Sequence, residues 1–431
     1  MNRKRVLLRL AIFTLVIGCA DGVKPISIAS DVLTDSVIPA PVYPLQFAID
    51  TVARGLEIPW SLAFVPDGRI LVTERHGMIR VIQNDQLADR PWAAIDVYGR
   101  DSTVWPESGL MGIALASNFA ESRHVFVLAT SWRTAGDRTA ALSTRVWRQL
   151  AGLLLPEARS RFMTQVIRLT DRNGVGVDPV VIVDDLPANH YHAGGGIAVG
   201  PDGKLYVSIG DALSPSLAAA PEVLAGKILR YEPDGSIPVD NPNNGSAVYA
   251  SGLRNTQAFA WLPDGTMLAV EHGPSGMPLE QGRAGRDELN VIQAGRDYGW
   301  PVSVGWDPAA SSAPPVWVWH EGIAPAGLAV WEFSDSRDSV TLLVSGLRGR
   351  VERLDLVNVV GNWHVSARDV VLSGAWGRLR TIHRDADGVL YVSTSNRDAR
   401  GTASASDDLL LRLRLHSQPR NTPVSEPRRV P

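Results

Sequence analysis

The amino-acid sequence predicts an all-β protein, a six-bladed β-propeller built from four-stranded antiparallel blades. The main observation is a strand–turn–strand phrase that recurs along the chain at an interval of about 64 residues. The composition agrees, because 39 glycines, 29 prolines and 13 tryptophans in 431 residues favour many short strands joined by tight turns. Self-similar strand units are typical of propellers and solenoids, and a closed ring of blades leaves only short, protected strand edges.

The repeated phrase is clearest at residues 61–74, where alternating apolar residues lie on both sides of Pro-Asp-Gly. The turn returns as Pro-Asp-Gly at 201–203 and 263–265 and as Ala-Asp-Gly at 386–388, and degenerate copies at 116–128 and 331–343 fill the longer gaps. Residues 47–415 therefore hold nearly six units. Each unit exceeds the roughly 40–45 residues of a compact blade, which predicts long loops between blades, where function concentrates.

The chain termini predict export and a lipid anchor. Arg3, Lys4 and Arg5 precede an apolar run at 10–17 and then Gly18-Cys19, which is typical of a lipoprotein signal over residues 1–19. Cys19 is the single cysteine, so an intrachain disulfide is excluded. Residues 20–46 predict a flexible tether, and residues 416–431 a disordered tail. We expect an exported protein that meets the membrane only through this lipid and faces the periplasm or cell exterior; a plain signal peptide with an incidental or buried cysteine is the alternative.

Composition says little about partners. The chain is 45% hydrophobic and 20% charged, with a net charge of -3, so it lacks the basic signature of a nucleic-acid-binding protein and we expect no such partner. One stretch departs from the repeat: residues 138–161, rich in Ala, Leu and Arg, predict a long hairpin or a short helix inserted in the second blade.

The most suggestive single stretch runs from His190 to Asp211. His190 and His192 precede three glycines at 194–196, and a strand–turn–strand phrase follows. Imidazole suits proton transfer near neutral pH, and a backbone without Cβ atoms lets a flat ligand or another chain approach closely. Taken alone, the stretch favours a glycine-rich turn with two surface histidines.

The predicted loops between blades carry a series of short motifs. In chain order they are Glu-Ser-Gly-Leu-Met-Gly at 107–112, His-Ala-Gly-Gly at 192–195, Leu-Arg-Asn-Thr-Gln at 253–257, Glu-His-Gly-Pro at 271–274, Asp-Glu-Leu-Asn at 287–290, Tyr-Gly-Trp-Pro at 298–301, Ile-Ala-Pro-Ala-Gly at 323–327, Gly-Leu-Arg-Gly at 346–349, Gly-Arg-Leu-Arg at 377–380 and Ser-Asn-Arg-Asp at 395–398. With them the chain resembles, over residues 47–415, the soluble sugar dehydrogenases that depend on pyrroloquinoline quinone (PQQ), the glucose/sorbosone dehydrogenase family.

The resemblance implies an enzyme that uses PQQ and calcium to oxidise an aldose-type sugar at C1 to the lactone and passes the electrons to an unidentified acceptor. It implies that the cofactor contacts are Glu107, Arg254, Asn255, Arg348, Arg378 and Arg380. Planar guanidinium groups suit an anionic tricarboxylate, although each arginine alone is equally a solvated loop charge. The resemblance makes His192 the general base, because it has the motif spacing, and leaves His190 as its rival.

The resemblance also implies two calcium sites. The carbonyls of Gly273 and Pro274 would hold the ion that touches the quinone, with His272 adjacent but not a ligand. A second, structural calcium would lie at Glu288 and Tyr298, since calcium prefers oxygen ligands that include backbone carbonyls. An ordinary surface acidic pair is the alternative for Glu288 and its neighbour Asp287.

Two departures from the family pattern leave questions open. Tyr191 stands where some members have an acidic residue, and Gly196 stands where many have arginine, so the orienting partner of the base, one anion contact and the substrate are undefined. Tryptophans 300, 306, 317 and 319 are either a stacking wall for the ligands or packing between sheets. Two other functions remain possible: a non-catalytic sugar-binding or interaction propeller, and a calcium-dependent propeller lactonase.

Overall fold

The computed structural model of the protein describes residues 47–98, 107–134, 161–307, 311–333 and 338–415. These residues form six antiparallel sheets arranged in a ring, so the prediction of a six-bladed β-propeller is confirmed. The predictions for residues 1–19, 20–46 and 416–431, and for all but the last residue of 138–161, lie outside the described residues.

Each blade has four main strands, numbered here in chain order. The first strand of the chain, β1 (Phe47–Ala53), is the outer strand of blade 6. Blades 1 and 2 contain β2 (Pro59–Phe64), β3 (Ile70–Glu74), β4 (Met78–Gln83), β5 (Gln86–Leu87), the short β6 (Ala93–Ala94) paired to β4, and then β7 (Leu110–Leu115), β8 (His124–Trp132), β9 (Phe162–Arg172) and β10 (Val175–Leu186). Blades 3 and 4 contain β11 (Ile197–Val199), β12 (Leu205–Ile209), β13 (Lys227–Tyr231), β14 (Val248–Ala250), β15 (Thr256–Trp261), β16 (Met267–Glu271), β17 (Asp287–Ile292) and β18 (Trp317–Trp319). Blades 5 and 6 contain β19 (Pro325–Phe333), β20 (Ser339–Gly346), β21 (Arg350–Val359), β22 (Asn362–Ser373), β23 (Leu379–Arg384), β24 (Leu390–Thr394) and β25 (Leu410–Leu415).

The ring is closed by strand pairing between the two ends of the propeller sequence. Strand β1 pairs antiparallel with β25, so the amino-terminal strand completes the blade that the carboxy-terminal strands begin. The first strands of successive blades, β2, β7, β11, β15, β19 and β23, pack against one another around the ring. They surround a central channel lined by residues such as Trp60, Gly195 and Gln257. Closure removes the long exposed edges that an open sheet would present.

The repeated turn occupies the same place in each blade that carries it. The Asp-Gly copies at 67–68, 202–203, 264–265 and 387–388 join the first strand of a blade to the second, with the glycine at positive φ, whereas a further Pro-Asp-Gly at 233–235 follows β13. In three copies the aspartate stabilises the turn, because its carboxylate accepts from the backbone N–H two residues later, as Asp67 does from Arg69 at 3.2 Å and Asp202 from Lys204 at 3.1 Å. In the copy at 386–388 the corresponding N–H, that of Val389, donates to Asp385 at 2.8 Å. The degenerate copy at 116–128 instead contains one helical turn, α1 (Phe119–Ser122).

The predicted motifs lie at the end of the ring opposite to these Asp-Gly turns. Antiparallel pairing brings the start of each first strand, the end of each second strand and the start of each third strand to this end, where all the motifs but one lie. The remaining motif, 298–301, runs back along the last strand of blade 3, because the Tyr298 N–H donates to the Ser251 carbonyl and the Trp300 N–H to that of Gly252, both at 2.9 Å. The fold therefore concentrates these segments at one mouth of the channel.

Candidate active site

His192 lies at the centre of a buried polar network at this mouth, with 5% of its surface exposed. Its Nδ1 is 2.7 Å from Asp211 Oδ1, and its Nε2 is 2.8 Å from Arg254 Nη2. A guanidinium can only donate hydrogen bonds, so Nε2 must accept. The ring is therefore the neutral tautomer with its proton on Nδ1, donated to Asp211. This is the arrangement of a general base whose lone pair is on Nε2.

The backbone holds His192 in an uncommon conformation. Its φ is 55°, in the left-handed region that few non-glycine residues adopt. Contacts on both sides maintain it: the His192 N–H donates to Glu107 Oε2 at 2.9 Å, and its carbonyl accepts from the Ala212 N–H at 3.3 Å. Such conformations persist where the surroundings over-determine them, often at functional sites.

The glycines after His192 allow close packing within the protein. A Cβ at Gly194 would lie 2.3 Å from the Ser208 carbonyl oxygen, and one at Gly195 would lie 2.8 Å from the Trp60 ring. On this side the close approach is made by the protein's own strands β12 and β2, while Gly195 also lines the channel. Asn255 reinforces the same segment, because its Oδ1 accepts from the Gly194 N–H at 2.9 Å.

Arg254 is almost fully buried and is held by several partners. Its Nε donates to Glu280 Oε1 at 2.7 Å, and its Nη2 lies 2.6 Å from the same oxygen. The guanidinium also donates to the Ser275 hydroxyl at 2.9 Å and to the His272 carbonyl at 3.2 Å. Glu280, which is 1% exposed, comes from the loop between β16 and β17. This pairing fixes Arg254 beside His192.

The other predicted arginines differ in their surroundings. Arg378 Nε donates to Asp398 Oδ2 at 2.8 Å, and exposed Arg348 donates to the Glu321 carbonyl at 2.8 Å. Arg380 is only 4% exposed, and its Nε has no hydrogen-bond partner within the described part of the chain. Its guanidinium lies over Trp60, 3.8 Å from the ring centroid. Burial lowers the pKa of Arg380 to about 9, because a charged group is costly away from water.

Glu107 links blade 2 to the same cluster. Its Oε1 accepts from Arg400 Nη1 at 2.8 Å, while Oε2 accepts from the His192 N–H. Although burial opposes the shift, the Arg400 charge and the hydrogen bonds from Arg400 and the His192 N–H lower the pKa of Glu107 to about 2. Arg400 also lies 5.4 Å from the ring centroid of Tyr191. Tyr191, which replaces the acidic residue of some family members, thus contacts the cation that neutralises Glu107.

The predicted calcium ligands Gly273 and Pro274 lie next to this network. The Gly273 N–H donates to Asp287 Oδ1 at 2.8 Å, and the Pro274 carbonyl accepts from the Gly285 N–H at 2.9 Å. A carbonyl oxygen has two lone pairs, so this bond leaves Pro274 a second one. His272 Nε2 donates to the Pro325 carbonyl at 3.0 Å, and burial lowers the pKa of His272 to about 4.

The second predicted calcium site contains a pair of carboxylates, of which Glu271 is buried and Glu288 is half-buried. Glu288 lies opposite Glu271 on neighbouring strands, and burial raises the pKa of both carboxyl groups. Glu288 accepts from the Gly305 N–H at 2.7 Å and from Asn290 at 3.1 Å. The Tyr298 hydroxyl is used within the protein, since it donates to the Val291 carbonyl at 2.6 Å. Calcium at Glu288 and Tyr298 stays a prediction, with the backbone oxygen of Tyr298 as its candidate ligand.

His190, the rival base, has different surroundings. Its Nδ1 lies 2.6 Å from the Tyr98 hydroxyl, and its ring makes edge contacts with Tyr98 and Phe162. Burial lowers the pKa of His190. The side chain is therefore part of an aromatic cluster between β8, β9 and the loop before β11, whereas His192 contacts Asp211 and Arg254.

The tryptophans of the 300–319 region have separate roles. Trp300 is buried beside the site, where its Nε1 donates to Asp211 Oδ2 at 2.8 Å and its ring lies 5.6 Å from the Arg254 guanidinium. Trp319 is fully buried and donates to Glu352 at 2.7 Å, which joins blades 4 and 5. Trp317 is partly buried and packs against the same core, and Trp306 is 50% exposed.

Sequence reasoning assigned no role to Asp211, Glu280 and Trp60. Asp211 is the last residue of the stretch that begins at His190, and it follows Gly210 just after β12. Its position in the repeat was the signal that could have identified it. Glu280 comes from an irregular loop without a repeat position, so nothing in the sequence linked it to Arg254. Trp60 immediately follows Pro59 at the start of β2, the first-strand position that faces the channel mouth.

Comparisons with known proteins agree with this geometry. The sequence model of the Glucose / Sorbosone dehydrogenase family matches residues 56–411. The aldose sugar dehydrogenase of Escherichia coli is 26% identical over 377 residues, 81% of this chain and 91% of that protein. A glucose dehydrogenase-type oxidoreductase of Thermus thermophilus is 37% identical, with TM-score 0.71 over 85% of this chain and 99% of that one.

One similar structure was solved with a cofactor. The PQQ-bound aldose sugar dehydrogenase of Streptomyces coelicolor is 29% identical, with TM-score 0.69 over 87% of this chain and all of that one. The family match spans most of the propeller, and the similar structures share its ring of blades. The chain therefore belongs to the glucose/sorbosone dehydrogenase family.

Proposed function

We propose that this protein oxidises an aldose-type sugar at C1 to the lactone, with PQQ and calcium as cofactors and His192 as the general base. The observation that carries the proposal is the network around His192, in which Asp211 fixes the Nδ1–H tautomer and Nε2 is left to accept a proton. The family membership and the PQQ-bound relative support the chemistry.

The protein's own part in the reaction is to hold and move one proton. The C1 hydroxyl of the sugar would take the place of Arg254 Nη2 at His192 Nε2, and Nε2 would accept its proton as the C1–H bond breaks. Asp211 would stabilise the imidazolium that forms. Arg254 keeps its bonds to Glu280 and Ser275 and so stays in the site when it releases Nε2.

The residues present fit an anionic quinone and a calcium ion. Arg380 offers a buried guanidinium whose Nε has no partner among the described residues, and Arg254, Asn255, Arg348, Arg378 and Glu107 lie on loops at the same mouth. The Gly273 and Pro274 carbonyls are oxygen donors of the type calcium prefers. When bound, the quinone supplies a carbonyl carbon that accepts hydride from C1, and calcium supplies the charge that polarises that carbonyl.

Reconstitution tests the proposal directly. The purified protein, stripped of metal with a chelator, is expected to reduce a redox dye with an aldose only after both PQQ and calcium are added. PQQ alone should give little activity, because the quinone carbonyl would lack its cation. The measurement is dye reduction against a panel of neutral sugars, with lactone formation followed by chromatography.

The same panel separates the rival functions. Sugar binding without dye reduction in the presence of both cofactors would indicate a non-catalytic propeller. Calcium-dependent hydrolysis of lactones without PQQ would indicate a lactonase. Either result would contradict the proposed dehydrogenase.

We also propose that the protein is exported and anchored through a lipid on Cys19, outside the described residues. No helix in the part of the chain that the structure describes is long and apolar enough to cross a membrane. Mass spectrometry of the mature amino terminus, after expression in a bacterial host with lipoprotein processing, should show acylated Cys19 as residue one. Several acyl chains on one residue give stable anchoring. A mature terminus at another residue, without lipid, would contradict the anchor.

A further inference from the structure

Most of the buried arginines in the described residues form ion pairs with carboxylates, but two of them do not. Six arginines are buried among the described residues: Arg69, Arg75, Arg230, Arg254, Arg353 and Arg380. Four of them form ion pairs, with Asp171, Asp202, Glu280 and Asp355 among their partners. Arg75 and Arg380 form no side-chain hydrogen bond or ion pair with any described residue. An unpaired buried charge is costly, so these two exceptions need an explanation.

Arg75 lies in the same cluster as the predicted cofactor arginines. It directly follows β3, at the end of the second strand of blade 1, and only 7% of it is exposed. Its side chain packs over Gly109, where an added Cβ would lie 2.8 Å from Arg75 Cγ. Arg75 interacts electrostatically with Glu107 and Asp398, and its charge also acts on Arg380.

The carboxylates near Arg75 already have other partners. Glu107 pairs with Arg400 at 2.8 Å, and Asp398 pairs with Arg378 at 2.8 Å. Burial lowers the pKa of Arg75, and the neighbouring guanidiniums Arg400 and Arg378 add to that effect. The cluster therefore holds an excess of positive charge in a place with little access to water. An anion that entered it would meet two guanidiniums with free donors.

We propose that Arg75 is an additional cofactor-binding residue, which together with Arg380 holds a carboxylate group of the bound quinone. The inference rests on the proposed function, because it takes PQQ as the anion. It goes beyond the predicted contact set, which has no residue from blade 1. It also explains why two arginines are buried with no side-chain hydrogen bond or ion pair to a described residue, since the cofactor would supply the missing carboxylate.

The test compares Arg75→Gln with Arg69→Gln. The second arginine is equally buried, at 8%, but it is paired with Asp67 and Asp171 at the opposite end of its blade. Arg75→Gln should weaken PQQ binding about ten- to a hundredfold, measured by quenching of tryptophan fluorescence during titration. Its cofactor-free form should unfold at the wild-type temperature or above, because an unpaired charge has been removed. Arg69→Gln should unfold at a lower temperature and bind PQQ normally.

The outcomes separate this inference from the function on which it rests. If the wild-type protein binds PQQ and Arg75→Gln binds it equally well, Arg75 is not a contact and the inference is overturned. The same holds if Arg75→Gln only lowers the unfolding temperature, as a structural residue would. Wild-type protein that binds no PQQ would overturn both. Arg75→Lys should recover part of the affinity, because the charge returns without the planar pair of donors.

Discussion

Replacing His192 by glutamine is expected to reduce the turnover number of the reconstituted enzyme by about two to four orders of magnitude, the usual contribution of a positioned general base. Glutamine has a carbonyl oxygen that can accept from Arg254 in place of Nε2, so the arginine should stay in position. The amide cannot take a proton at neutral pH. Steady-state dye reduction measures the loss, and PQQ titration should show nearly unchanged affinity.

His190→Gln is the matched control, because it makes the same substitution two residues away. His190 contacts Tyr98 and the aromatic cluster rather than Arg254, so its turnover should fall by less than about tenfold. The roles of the two histidines would be reversed if His190→Gln abolished turnover while His192→Gln did not. Normal turnover in both variants would exclude a histidine base.

The fold was predictable because the repeat encodes it locally. Each Asp-Gly turn of the repeat has a side-chain acceptor and a glycine at positive φ. In four of the six blades the sequence therefore predicts where the first strand is joined to the second. Blade 2 lacks this turn and uses α1 instead, which left only a degenerate copy in the sequence. The pairing of β1 with β25 joins residues more than 350 positions apart, and only the requirement for ring closure pointed to it.

The site was less predictable, because its contacts join distant loops. The motifs identified His192 and Arg254, but the bond between them connects blades 3 and 4 and has no signature in either motif. Glu280, which compensates the charge of Arg254, lies in the loop between β16 and β17 and has no position in the repeat. Arg75 follows β3, whose sequence is typical of a buried strand and indicates no site. The glycines at 194 and 195 predicted the close approach of a flat ligand or of another chain, and only the structure shows that backbone and ring atoms of the protein lie on their Cβ side.

Asp211→Asn is expected to reduce turnover by about three to four orders of magnitude, although the side chain touches no substrate. Asp211 Oδ1 accepts from His192 Nδ1 at 2.7 Å and from the Leu213 N–H at 2.9 Å, and Oδ2 accepts from Trp300 Nε1 at 2.8 Å. An asparagine that kept the Trp300 bond through its oxygen would give up the Leu213 bond and present an NH₂ group to Nδ1. The imidazole would then carry its proton on Nε2, where it could neither accept from Arg254 nor take a proton from the sugar. A wrong tautomer costs a catalytic histidine about 10⁴ in rate in a well-studied protease.

Nitrogen NMR of labelled His192 distinguishes this positioning role from a merely structural one. In the wild-type protein Nδ1 should be the protonated nitrogen, and in Asp211→Asn the proton should move to Nε2 while the fold and PQQ affinity persist. Trp300→Phe is the control: it removes the donor to Asp211 Oδ2 but leaves the His192 and Leu213 bonds to Oδ1, so turnover should fall by less than about tenfold. If Asp211→Asn kept near-normal turnover, or lost it without a change of tautomer, Asp211 would not orient the base. A loss that accompanied the tautomer change would show that the rate depends on which imidazole nitrogen carries the proton.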